Sequence, residues 1–293
     1  MDNKREISIK KILSVGKIEY IKWICDPRMI LFFSMNIFVY DYVTKILIEN
    51  SQKMGKPLNI VEPFIAICNS EILLFVMPIV FLALISDYPK TDGNSMFYML
   101  RTGKRNWLIG QMLFAFMAAV TYVSSIFIIT CLCCARHSYI YNQWSYVVRR
   151  YAITFPNESN NIMLNLIPDR LYNNLTPGQA LLHTFALLIL IMLLIAFVQL
   201  ISFVYNRKMI GLLTNMSLLC IGIGSQMFAG AFKWIFPVSN ALVWMHYDPI
   251  FKKRIVPIKN SYLYFIILIA VLMVWSIVTV KRYDFSKVED LED

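Results

Sequence analysis

Residues 180–205 read ALLHTFALLILIMLLIAFVQLISFVY, a run without a single Lys, Arg, Asp or Glu. About 20 such residues, wound as a helix, cross the roughly 30 Å hydrocarbon core of a bilayer. In a water-soluble domain a helix apolar on every side would have to be buried on every side. Working outward from this run, five more of the same kind appear at about 28–48, 64–86, 107–134, 209–229 and 262–280. They are twice the length of a barrel strand and do not alternate, so helices are the only spanning structure they can form. The expected fold class is therefore an all-α integral membrane protein with six transmembrane helices.

Composition agrees. Of 293 residues, 58% are hydrophobic and only 16% charged, and the mean hydropathy is +0.58. A soluble chain of this kind would carry large exposed apolar patches, which soluble proteins avoid. Soluble enzyme, nucleic-acid binder and disordered chain are excluded as readings of the whole. The net charge of +10 then belongs to loops flanking the spans. No nucleic acid is expected as a partner, and membrane lipid is.

Residues 1–27 carry six Lys and Arg and no short apolar core with a cleavage site. Ile9, Ile12, Leu13, Gly16, Tyr20, Trp23 and Ile24 share one helical face, away from Lys10, Lys11, Lys17 and Lys22. This predicts an amphipathic helix lying in the membrane interface, ended by Pro27 before the first span. With the N-terminus inside, the inner segments hold sixteen Lys and Arg and the outer ones eleven. Both termini are thus expected in the cytoplasm, 281–293 as a tail, with a coupling loop at 87–106 inside and a long loop at 135–179 outside. Asn206-Arg207-Lys208 predicts a tight turn between the fourth and fifth spans.

Built-in chemistry is sparse. No phosphate-binding G-x-x-x-x-G-K-[ST], H-E-x-x-H or G-x-S-x-G occurs, and His137, His183 and His246 are scattered. Cys131 and Cys134 form one C-x-x-C but have no second pair to complete a zinc site, so no metal is expected. No catalytic residue and no cofactor on this chain are expected. Asp41 and Lys45 lie i, i+4 in the first span and Glu71 at similar depth in the second. Charges at such depth face the bundle interior or a cavity. They either line a substrate path or, in the case of Glu71 with Lys45, form an ion pair locking the two spans.

In the inner loop, Asn94 or Ser95 can cap a short helix that Gly103 ends. It would present Met96, Phe97, Met99 and Leu100, with Arg101 at their rim. This is either a docking peg for another protein or a helix folded back on the membrane surface.

The acidic residue after span two, the Gly, the short helix and the Arg101-x-Gly103-x-Arg105 run into Trp107-Leu-x-Gly110 resemble the coupling-helix region of ABC-2-type permeases. The basic N-terminal helix, six spans and a fifth span with a tail (229–244, containing Pro237 and Trp244) are similar too. The resemblance implies short re-entrant helices before the last span and the permease subunit of an ATP-driven exporter in a bacterial cell membrane. It implies dimerisation with a second permease copy or a paralogue, and a separate cytosolic ABC ATPase that holds ATP and Mg. On that reading Met96, Phe97, Met99, Leu100 and Arg101 couple the two subunits. Departures are Gln111, where the family often has Lys, and the long outer loop. Two other classes stay open: a secondary transporter or channel using Glu71 and Asp41 as ion sites, and a non-transport sensor or immunity protein. Against the transporter, no paired broken helices are evident in two halves.

Overall fold

A computed structural model of the chain describes residues 7–90, 99, 101–156, 166–227, 230–248 and 254–280. Among these, five helices are long and apolar enough to cross a membrane, and a sixth crossing results if one sharply bent pair counts as a single span. The architecture is all-α, as a membrane-spanning protein of this composition requires.

Helix α1 (Ile9–Ile24) precedes α2 (Met29–Val39), which continues through a π-turn at Tyr40–Thr44 into α3 (Lys45–Met54). Gly55 ends α3 in the left-handed conformation (φ 59°) that a Cβ would penalise, and its N–H caps the Gln52 carbonyl. The expected single span at 64–86 is instead two helices, α4 (Glu62–Asn69) and α5 (Glu71–Leu84), bent by 84°. Asn-Ser-Glu at 69–71 is the cause. The Asn69 amide turns back onto the Ile65 carbonyl (2.9 Å), Ser70 is extended, and Glu71 opens α5, where a carboxylate favours the helix dipole.

Gly103 (φ 89°) separates the helical residues Met99, Arg101 and Thr102 from α6 (Lys104–Cys134). Over Lys104–His137 that rod holds 34 residues, about 50 Å at 1.5 Å per residue and far more than a bilayer needs. Then come α7 (Tyr146–Thr154), α8 (Asp169–Tyr172), α9 (Pro177–Val204), α10 (Lys208–Gly224), α11 (Pro237–Ala241) and α12 (Ile258–Thr279). The turn between α9 and α10 is as tight as expected, with Asn206 taking the left-handed position (φ 56°). Around α11, one-turn segments at Phe232–Ile235 and Val243–His246 make the tail of the fifth helix a set of short helices.

Helix α9 is the bundle's centre, with 83% of its most apolar window buried, whereas α12 is 11% buried on the same measure and presents its side chains outward. Helix α1 packs along the first half of α6. Its buried face is Val15, Gly16, Glu19 and Trp23, while Ile9, Leu13 and Ile24 are exposed. Of the apolar face read from periodicity, Gly16 and Trp23 pack inward and Ile9, Leu13 and Ile24 stay on the outside. The two helices meet where Gly16 and Gly110 face each other, and a Cβ on Gly110 would lie 2.6 Å from Val15 Cβ. Close backbone approach, rather than the apolar stripe, selects the packing face.

Candidate functional site

At the end of the bundle where α2 begins, the links between α1, α2, α5 and α6 converge on a small open cleft lined by charged and aromatic residues. Asp26 pairs with Lys90, and Arg28 pairs with Asp87. Arg28 also donates through Nη1 to Ser86 Oγ (2.8 Å), and its backbone N–H donates to Asp26 Oδ1 (2.9 Å). Burial works to raise the Asp26 pKa, but the Lys90 ammonium and the Arg28 N–H outweigh it, so the carboxyl lies below its ordinary value. Tyr88 donates to the Gln111 carbonyl (2.8 Å), and Gln199 of α9 donates to the Ser86 carbonyl (3.1 Å). On the far side, the Ser8 N–H donates to Asn106 Oδ1 (3.1 Å) and the Asn106 amide to the Thr102 carbonyl (3.0 Å). The segment 87–103 is therefore fixed at both ends to α1, α2 and α6.

Of the residues expected to form a coupling face, Met96, Phe97 and Leu100 lie outside the described residues. Met99 is only 3% exposed and belongs to the chain's own core, so it is not part of an outward docking face. Arg101 is exposed, as a rim residue would be.

The expected intramembrane charges are also placed. Lys45 Nζ lies 3.9 Å from Asp41 Oδ1, one turn apart on the same helix, with side chains 53% and 61% exposed. Glu71 stands exposed at the first turn of α5. The structure joins Asp41 to Lys45 and does not bring Glu71 onto Lys45; the bend at Ser70 decides where Glu71 stands. Against lipid, a charged side chain at the centre of a span costs about 3 kcal/mol on insertion scales. All three side chains stand exposed on the surface of the described bundle.

The opposite end holds a buried polar hub that motif reading missed. Glu62 is fully buried, accepting from the Asn59 N–H (2.9 Å) and the Ser145 N–H (2.6 Å). It ties the α3–α4 link to the loop 135–179, beside the short parallel pairing of β1 (Leu58–Asn59) and β2 (Ser138–Tyr139). Ser145 in turn caps α7 through Val148 (3.2 Å). Trp144 is buried and donates to the Leu175 carbonyl (2.7 Å). His246 is buried against the Trp234 ring, with Nδ1 3.1 Å from the Val256 carbonyl and Nε2 3.3 Å from Ser261 Oγ. Burial holds its pKa below the ordinary value against the opposing pull of that carbonyl. One local signal for Glu62 did exist: Glu-Pro directly before an apolar run is a helix N-terminus.

Among the described residues, no group of three His, Cys, Asp or Glu could hold a metal ion. Compared with protein-family models, curated proteins and solved structures, the chain matches none.

Proposed function

We propose that the chain is the membrane permease subunit of an ABC exporter, working as a dimer in the cell membrane and driven by a separate cytosolic ATPase that carries ATP and Mg. The observation that supports this reading best is the fixing of segment 87–103. Its ends are held by Asp26–Lys90 and Arg28–Asp87 to the α1–α2 link, and through Thr102–Asn106–Ser8 to α6 and the start of α1, α6 being about 20 Å longer than the hydrocarbon core is thick. A push on a segment clamped in this way would move α1, α2 and α6 together, which is what transmission from a motor subunit requires. Orientation by the positive-inside rule puts this end in the cytoplasm.

Co-purification tests the reading. The chain alone is expected to hydrolyse no ATP and to capture an ABC ATPase when the two are co-expressed. Phe97→Ala is expected to weaken capture about thirtyfold, as loss of an aromatic anchor does, and Arg101→Ala only mildly. Full capture by Phe97→Ala with unimpaired transport removes Phe97 from the interface.

A second reading has one observation in its favour. The break at Ser70, with Glu71 at the start of α5, has the form of the discontinuous helices of secondary transporters. Sodium- or proton-dependent flux by the purified chain in vesicles would establish that class instead.

A further inference from the structure

We propose that the face formed by Asp41, Lys45 and Glu71 is where two copies of this chain meet, with Lys45 of each copy paired to Glu71 of the partner subunit. The inference rests on reading α2–α3 and α5 as membrane spans, and it names the surface of the proposed dimer.

Exposure is the first argument. Ser34, Asp41, Lys45 and Glu49 form an exposed polar stripe at helical spacing, and Glu71 lies on a neighbouring helix. Helix α12 shows the contrast: Leu263, Ile266, Val271, Val274 and Val278 are exposed there, a surface that lipid solvates well. One chain thus carries a wholly apolar exposed face on α12 and, on α2–α3, one where Asp41, Lys45 and Glu49 interrupt and follow exposed apolar residues such as Ile30, Phe33 and Ile37.

Depth is the second. Tyr122 Oη touches both Met35 Sδ (2.9 Å) and the Met77 carbonyl (2.8 Å), so these residues share a level. Lys45 lies ten residues beyond Met35, about 15 Å, and Glu71 six residues beyond Met77, about 9 Å in the same direction. The difference is about one helical turn, which a lysine stem spans. A twofold axis along the membrane normal preserves depth, so opposite charges at matching depth meet reciprocally across it. Lys45 has donors to spare, because its ammonium carries three protons and Asp41 stands at 3.9 Å.

The experiment co-expresses two differently tagged full-length copies and measures capture of one by the other. Lys45→Glu copies alone, and Glu71→Lys copies alone, are expected to lose self-capture by about tenfold or more, because each sets like charges together. Mixing a Lys45→Glu copy with a Glu71→Lys copy restores both reciprocal pairs, so capture between them is expected to return. Single variants that self-associate normally, or a mixture that stays apart, overturn the proposal, and so does a wild-type chain that never captures itself. Should a variant fail to fold, wild-type protein in vesicles treated with a bilayer-permeant carbodiimide, which condenses a touching amine and carboxyl, is expected to form a covalent dimer that Glu71→Gln abolishes. Absence of that dimer, or its persistence in Glu71→Gln, also overturns the proposal. A dimer that holds while no ATPase binds would leave this surface standing and remove the permease reading.

Discussion

The indole Nε1 of Trp244 donates a 3.0 Å hydrogen bond to the backbone carbonyl of Asn69, 175 residues earlier in the chain. Asn69 is the last residue of α4, and its carbonyl loses its helical partner because the chain turns by 84° at Ser70. The short helices between α10 and α12 therefore complete the break between α4 and α5. Asn69 Nδ2 adds a bond to Thr184 Oγ1 of α9 (3.1 Å), so one residue joins three parts of the bundle.

Trp244→Phe keeps an aromatic ring, though a smaller one, and removes the donor. It is expected to leave the Asn69 carbonyl unpaired and to cost about 1–3 kcal/mol. Thermal unfolding in detergent measures this, and an unchanged midpoint would show that water replaces the indole.

Glu62→Gln keeps one acceptor oxygen but turns an amide NH₂ toward a backbone N–H. The buried clash is expected to loosen the loop 135–179, seen as faster limited proteolysis there, while the spans stay intact. Glu62→Ala should have the larger effect.

Gly110→Ala places a Cβ 2.6 Å from Val15 Cβ and 3.1 Å from the Ile12 carbonyl. Helix α1 must shift, and a loss of about 1–3 kcal/mol is expected. The nearest obstruction is Val15 Cβ, which alanine would keep, so Val15→Gly in the same chain is the change that should recover part of it. Equal losses in the single and double variants would place the strain on the Ile12 backbone instead.

Gln111 is fully buried in α6, and neither atom of its side-chain amide has a hydrogen-bond partner. Gln111→Leu is expected to leave the melting point unchanged or to raise it, because no bond is lost and a buried amide is removed. A fall in stability would reveal an unseen partner, such as a bound water.

His246 gives a pH dependence. Its folded pKa lies below the unfolded value of about 6.5, so the unfolded chain takes up the proton first. The stability this group contributes is present above about pH 6.5 and declines as pH falls toward the lower, folded value. Melting points of wild type and His246→Gln across pH 4–8 should therefore converge on the acid side.

The presence of the long apolar helices was legible from sequence because it rests on local physics. Twenty apolar residues suffice to mark a candidate span, Gly103 divides helices through its own backbone freedom, and Asn206 supplies its own left-handed turn. The stop signal at Asn69-Ser70-Glu71 was local as well, but the apolar run on either side concealed it. Which residues meet was not legible. The face of α1 is chosen by how closely Gly110 of another helix lets it approach, and neither partner reveals that in its own periodicity. Glu62 finds its second donor 83 residues away and Asn69 its cap 175 residues away. The sequence alone determined that this chain forms long apolar helices, because hydrophobic length is a property of consecutive residues. The bend, the polar hub and the placement of Asp41, Lys45 and Glu71 on an exposed face were decided only by tertiary structure, because hydrogen bonds and burial depend on segments brought together from far apart in the chain.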